Sequence, residues 1–365
     1  MTKLSICIPM ETAAQDVLPL VRLLLENPHA DIEVVVAKPA NVAVSDKLAT
    51  LLASEPRATL ADAAGDIPRQ LLWRTAIATA TGDWVTLINA RDAIEPELAS
   101  LLAFVERKSP EADAFGWTAI QIDPMAEPGN AGSVAIPEAY QIEKLDKTAM
   151  LKAFFYWEGS LNVPKMPFGI HHAAIRRSLV DTLLQLPAPQ DWSTPVPQYE
   201  WAAKVLLFAN ELVFCPRPLS AINATPYVPS TPTTPWNFPF HSGLGLTGAI
   251  TEVQFHILRE LGSPWAGGNE AFVRALMIDC MKEPKRADFT AKGNAYFAAL
   301  KTFEDGRLAG FFRPEFHEIR PKDMRRGLHD KALLIDRFIA GARTPQEFFG
   351  VCKSIFTPIA VLCLE

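Results

Sequence analysis

The chain opens on blocks of apolar residues whose spacing changes from strand-like to helical and back. Leu4-Ser5-Ile6-Cys7-Ile8-Pro9 is a β-rich run stopped by proline, and the apolar positions of Val17 to Leu25 then recur with helical spacing as far as Asn27-Pro28. Ile32-Glu33-Val34-Val35-Val36 is a nearly continuous β-branched run, the pattern of a parallel strand covered on both faces. Strand, helix and strand in that order predict a right-handed βαβ unit. Asp46 to Leu52 and Leu71 to Ala80 read as further helices, the second closed by Gly82 where a left-handed residue is favoured. Trp84-Val85-Thr86-Leu87-Ile88 predicts a third strand. Pro96 to Arg107 then predicts a helix with Glu95 and Glu97 at its positive end. Alternation of this kind implies an α/β sheet whose functional loops lie at the carboxyl ends of the strands.

Further along, Ala112 to Ile122 predicts a strand and Asp123 to Pro137 a loop. Phe168 to Ile175 is a strand leading into a helix over Ser178 to Leu186, Tyr199 to Phe208 is a helix, and Leu212 to Cys215 is a short strand ended by Pro216. Thr225 to Pro239 is rich in proline, serine and threonine, which places the main boundary there. After Gly248 the spacing is helical over Ala249–Leu261, Glu270–Met281, Ala291–Phe303, Lys331–Ala340 and Pro345–Ile355. The expected organisation is a domain over residues 1–224, a linker over 225–247 and a helical region over 248–365.

Composition narrows the classes without naming one. With 365 residues, an apolar share of 49% and a net charge of −6 carried by dispersed residues, the chain fits a folded globular protein and shows no nucleic-acid footprint. Cys7, Cys215, Cys280, Cys352 and Cys363 are odd in number and lack a CxxC pair, which argues against a disulfide framework or structural zinc and for a reducing compartment such as the cytoplasm. No apolar run approaches the roughly 18 residues of a membrane span. Ser-His-Asp, GxSxG and P-loop spacings are absent.

Three strand ends carry a resemblance. They are Ile8-Pro9-Met10-Glu11, then Val34-Val35-Val36-Ala37-Lys38, then Ala80-Thr81-Gly82-Asp83-Trp84 running through to Asn89-Ala90-Arg91-Asp92. In this order they resemble the family-2 inverting glycosyltransferases of GT-A fold, over residues 1–120 and more loosely to 224. The resemblance implies a mixed, mainly parallel sheet flanked by helices, with a nucleotide-binding half over 1–120 and an acceptor half over 121–224. It also implies a nucleotide-sugar donor and a saccharide or lipid-linked acceptor of polysaccharide or glycoconjugate assembly. Peripheral contact with an inner membrane and homo-oligomer formation stay open.

The family's acidic groups are exchanged. Ala37 and Lys38 stand where an aspartate reads the base, and Asn89-Ala90-Arg91 stands where Asp-x-Asp holds Mn or Mg, which disfavours a divalent cation. Either Arg91 neutralises the diphosphate itself or it is a solvated loop residue at a decayed site. Pro197-Gln198-Tyr199-Glu200-Trp201 resembles the family's base signature with Gln198 at the aspartate, leaving Glu200 as the nearest carboxylate. Glu200 and Asp92 are therefore the expected catalytic acids. Pro9, Glu11, Lys38, Arg74, Asn89, Arg91, His171, Gln198 and Trp201 are the expected substrate contacts. His171 and His172, on an expected strand, point to opposite faces. Trp73, Trp157, Trp192 and Trp236 are further aromatic candidates, each equally readable as core. The competing outcome is a catalytically inactive relative that keeps the fold as a binding or scaffold module.

Overall fold

The apolar runs of the first third become neighbouring strands of one sheet, because each is covered by helices on both faces. The computed structural model describes residues 2–26, 31–65, 67–128, 132–186, 194–224, 227–228, 237–318 and 325–364. In chain order it begins with β1 (Leu4–Pro9), α1 (Leu18–Leu25), β2 (Ile32–Pro39), α2 (Asp46–Ser54), β3 (Ala58–Ala63), α3 (Arg69–Thr79), β4 (Trp84–Leu87), β5 (Ala93–Ile94), α4 (Leu98–Lys108) and β6 (Ala112–Ile122). There follow β7 (Ser133–Pro137), β8 (Glu143–Leu145), α5 (Lys147–Phe155), β9 (Ala173–Arg176), α6 (Arg177–Gln185), α7 (Pro197–Phe208) and β10 (Glu211–Asn223). The last third holds α8 (Leu246–Glu260), α9 (Glu270–Met281), α10 (Arg286–Thr302), β11 (Gly327–His329), β12 (Ala332–Asp336), α11 (Pro345–Cys352) and α12 (Ile359–Leu362).

Among the described residues nine strands form the main sheet, in the order β3-β2-β1-β4-β9-β6-β10-β5 with β8 also on β10. Strands β1 to β4 run parallel, β9 is antiparallel to β4 and β6, and β10 is parallel to β6. This is the mixed, mainly parallel sheet flanked by helices that the sequence predicts, with a C-terminal region dominated by α8 to α10.

Alternation along each strand sorts side chains onto two faces. Cys7, Val35, Ala37, Val85 and Leu87 join the apolar cluster containing Trp73 and Ala76 of α3 and the buried residues of α7 to α9. Leu4, Ile6, Ile8, Val34 and Val36 face the opposite cluster with α1, α2, α4 and Ile359 and Leu362 of α12. Phe238 and Phe240, within the expected 225–247 linker, are buried in the first cluster beside Trp265 and Phe272.

Several local expectations change. Gly82 is not left-handed. It is needed because a Cβ there would lie 2.6 Å from Ser5 Oγ and 2.8 Å from Lys3 O, inside the β1 backbone. Strand β10 does not stop at Pro216 but continues to Asn223, with register shifts against β6 around Pro218 where proline cannot donate to the ladder. Its first half pairs with β8 and its second with β5 on the same edge. The stretch expected as a helix over Lys331–Ala340 instead supplies β12, which pairs antiparallel with β7 across Leu333↔Ile136. No helix among the described residues is long and apolar enough to cross a membrane.

Candidate functional site

Parallel strands leave unpaired backbone and loops at their carboxyl ends, and there the chain collects its unusual polar residues. Pro9 ends β1 as a buried residue in register with Ala37. Glu11 follows it and meets Arg69 Nε at 2.9 Å. Arg69, the first residue of α3, also donates to Asn89 Oδ1 at 2.9 Å and lies over the Trp73 ring at 5.3 Å. It was not singled out in the sequence. The available signal was its position one helical turn before Trp73, which puts both on one face.

Asn89-Ala90-Arg91-Asp92 forms a tight turn after β4. Asp92 is wholly buried, and it accepts from the Asn89 backbone at 3.2 Å, from Asn89 Nδ2 at 2.8 Å and from the Asn223 backbone at 3.0 Å. Burial pushes its carboxyl above the usual range, against the opposing pull of these donors. Arg91 is exposed, and among the described residues it has neither hydrogen-bond nor ion-pair partner. The loop is thus fixed in its backbone while its one cation is free.

A divalent cation does not fit these donors. Both oxygens of Asp92 already accept N–H bonds, the Asn89 amide is used at both ends, and the third group of the turn is positively charged. Among the described residues no three His, Cys, Asp or Glu side chains are grouped as a metal site.

Lys38, at the end of β2, is buried and pairs at 2.6 Å with Asp62, its register neighbour on β3. Asp62 thus places a carboxylate at this end of the sheet. Below the turn, His171 packs edge-on against Trp73 with ring centroids 5.3 Å apart. The two histidines lie in a turn before β9, not on a strand. Burial first, then Arg69 and His172, lower the His171 pKa to about 3, while a hydrogen bond to the Leu87 backbone opposes them. Its Nδ1 and the Trp73 Nε1 are buried without a hydrogen-bond partner among the described residues. A neutral imidazole offers an acceptor and the indole a donor.

Other expected contacts are placed elsewhere. Arg74 points from α3 to the Leu184 carbonyl of α6 at 3.5 Å, because it lies on a different side of α3 from Arg69 and Trp73. Glu200 is buried at 1% exposure, paired with Lys204 and accepting from Thr194 Oγ1 at 2.8 Å. Burial raises its pKa although Lys204 pulls the other way. Both oxygens of Glu200, the carboxylate expected as base, are engaged inside the helical layer by Lys204 and Thr194. Trp201 belongs to the apolar core, as does Trp157 beside Phe272, while Gln198 is half-buried in the first turn of α7. Trp192 and Trp236 lie outside the described residues.

A Gly243-x-Gly245-x-x-Gly248 spacing, passed over in the sequence, opens α8. Among the described residues no strand leads into it, and its cavity is lined by Asp279, Glu283, Asp288 and Lys292, with a Cβ at Gly245 falling 2.7 Å from Asp279 Oδ2. Lys292 is paired with Asp279 and Glu283, so the walls keep a net negative charge that disfavours a phosphate.

No family model and no curated protein matches the chain. Among solved structures it is similar to S. aureus TarS residues 1–349, at 12% identity over 83% of this chain and 81% of that one, with a TM-score of 0.48. The same TarS fragment in complex with UDP-GlcNAc aligns at 14% identity over 84% and 90% of the two chains, with a TM-score of 0.45. In complex with UDP it aligns at 12% identity over 84% and 90%, with a TM-score of 0.43. Likeness at this distance bears on neither the chemistry nor the ligand of this chain, which rest on its own residues.

Proposed function

We propose that the chain is a GT-A-type glycosyltransferase whose donor site holds a nucleotide sugar with arginine in place of a metal ion. The observation that carries this reading is Arg91, an unpartnered guanidinium on an otherwise pinned loop at the carboxyl end of a parallel strand. Its planar fork can donate two charge-assisted hydrogen bonds to a diphosphate and stays charged at every relevant pH. As the sugar leaves, charge grows on that diphosphate, and a fixed cation stabilises the departure. Arg69 adds a second guanidinium beside Asn89.

In this reading Pro9, Glu11 and Lys38 border the nucleotide, with Asp62 supplying the nearby carboxylate. Asp92 positions the turn and transfers no proton. Residues 1–120 carry the donor side and residues 121–224 the acceptor side, with a saccharide acceptor. The test is release of nucleotide from UDP-, GDP-, dTDP- and CMP-sugars in EDTA with and without oligosaccharide acceptors. Turnover supports the reading, and no turnover with any donor contradicts it.

The engagement of Glu200 by Lys204 and Thr194 favours a second reading, a sugar-nucleotide-binding module without transfer. It is distinguished by donor binding that persists without nucleotide release.

A further inference from the structure

The turn that carries Arg91 is held from outside as well as from within. Helix α11 begins at a complete capping box, in which the Thr344 hydroxyl accepts from the Glu347 backbone N–H and the Glu347 carboxylate accepts from the Thr344 backbone N–H. Phe348 and Phe349 fasten the helix to Ala93, Ile122 and Ala221 of the sheet edge. With the start of the helix fixed in this way, its first turn presents Gln346 to the loop. Gln346 Nε2 donates to Asp92 O at 2.9 Å and to Ala90 O at 3.3 Å, the carbonyls on either side of Arg91. Further along the same segment, Lys353 reaches Glu95 Oε1 at 2.9 Å, and Arg217 joins Glu95 Oε2 to the Thr357 carbonyl. More than two hundred residues of sequence separate this segment from the turn it braces.

We propose that Gln346 is the positioning residue for Arg91, so that the C-terminal segment sets the competence of the anion site. The proposal rests on the reading of Arg91 as the diphosphate contact. Asp92 ties the inner side of the turn to Asn89 and Asn223, but neither bond fixes the peptide carbonyls that flank Arg91. Those carbonyls depend on one side-chain amide. Without its donors the turn samples other orientations of Arg91, and apparent affinity falls with the fraction of molecules that remain competent. A braced backbone leaves only side-chain freedom to be lost on binding.

The test uses the full chain carrying Gln346→Glu, whose carboxylate matches the amide in shape and cannot donate. Backbone deuterium exchange over residues 88–95, without ligand, is expected to quicken by about tenfold at Asn89 and Asp92, since a local opening of the turn exposes both amides. Unchanged exchange overturns the proposal whether or not any nucleotide binds. Affinity for inorganic pyrophosphate and for UDP is expected to fall about tenfold in Gln346→Glu, and to show no further fall when Gln346→Glu is added to Arg91→Ala. Equal losses in both backgrounds mean that the substitution acts through its added charge or through general stability, and overturn the role of Gln346 toward Arg91. Wild-type protein that ignores both probes overturns the reading of Arg91 as a diphosphate contact and with it the positioning role, while the exchange result still shows whether Gln346 braces the turn.

Discussion

Arg69 donates to Asn89 Oδ1 across 2.9 Å, and Asn89 passes its own amide hydrogen to Asp92 at 2.8 Å, so one neutral side chain separates a cation from a buried carboxylate. An aspartate at position 89 would face the Asp92 carboxylate without a hydrogen between them. Asn89→Asp, which puts a second carboxylate in the turn, is therefore expected to destabilise the fold by roughly 1–3 kcal/mol. Chemical denaturation with and without Mn²⁺ checks this. A variant as stable as wild type, or one stabilised only when Mn²⁺ is added, contradicts this account of the turn.

Glu200 is expected to matter for stability before it matters for chemistry. Glu200→Gln leaves Lys204 buried beside a neutral amide, a change that costs roughly 3–5 kcal/mol when a buried pair is broken. The thermal midpoint should fall sharply, with any nucleotide release per folded molecule preserved. A fully stable Glu200→Gln protein that has lost release would make Glu200 the base after all.

His171 ties stability to pH. Its native pKa of about 3 lies below the ordinary value of 6.5, so the native imidazole stays neutral while the unfolded one takes up a proton. Its contribution is complete above pH 6.5 and is lost as pH falls from there toward 3, at up to about 1.4 kcal/mol per unit. Burial also lowers His172, which acts in the same direction. His171→Phe should flatten the acid limb of the stability profile measured by urea unfolding at several pH values. An unchanged slope would show that His171 is protonated in the native state.

Gly82 tests the packing of β1. The Cβ of Gly82→Ala would lie 2.6 Å from Ser5 Oγ and 2.8 Å from the Lys3 and Ser5 backbone, and strand backbone has little room to shift. A loss of roughly 1–3 kcal/mol is expected from such overpacking. A gain in stability, as expected for removing a helical glycine, would place the residue in a different environment.

Much of the sheet was legible because its strands are continuous β-branched runs and its helices carry long apolar stripes. β1, β2 and β4, and helices such as α2, α7 and α9, fall close to their expected positions. What stayed hidden depends on distant partners. Ala332-Leu333-Leu334-Ile335-Asp336 has helical composition but becomes a strand because β7, nearly two hundred residues earlier, offers it an edge. β3 is weakly apolar and is a strand through its pairing with β2. At the site, the turn from Asn89 to Asp92 followed from its place after β4. Gln346 did not, since nothing local marks a C-terminal glutamine as its neighbour, and the spacing of Arg69 to Trp73 puts them on one face of α3 without saying that the face meets Asn89. Glu200 and Arg74 were legible as residue types, but the side of the helix each one faces was not.

The central claim is that Arg91 replaces a metal ion, and the most direct measurement is thermal stability of wild-type and Arg91→Ala protein against UDP-, GDP-, dTDP- and CMP-sugars in EDTA and in Mn²⁺. Because Arg91 is exposed and unpartnered, the substitution itself should shift stability by no more than about 0.5 kcal/mol. A donor that binds the native state raises its midpoint, so wild type should gain stability from one nucleotide class equally in EDTA and Mn²⁺, and Arg91→Ala should gain markedly less at the same donor concentration. A gain that requires Mn²⁺, or one that Arg91→Ala leaves undiminished, would contradict the account.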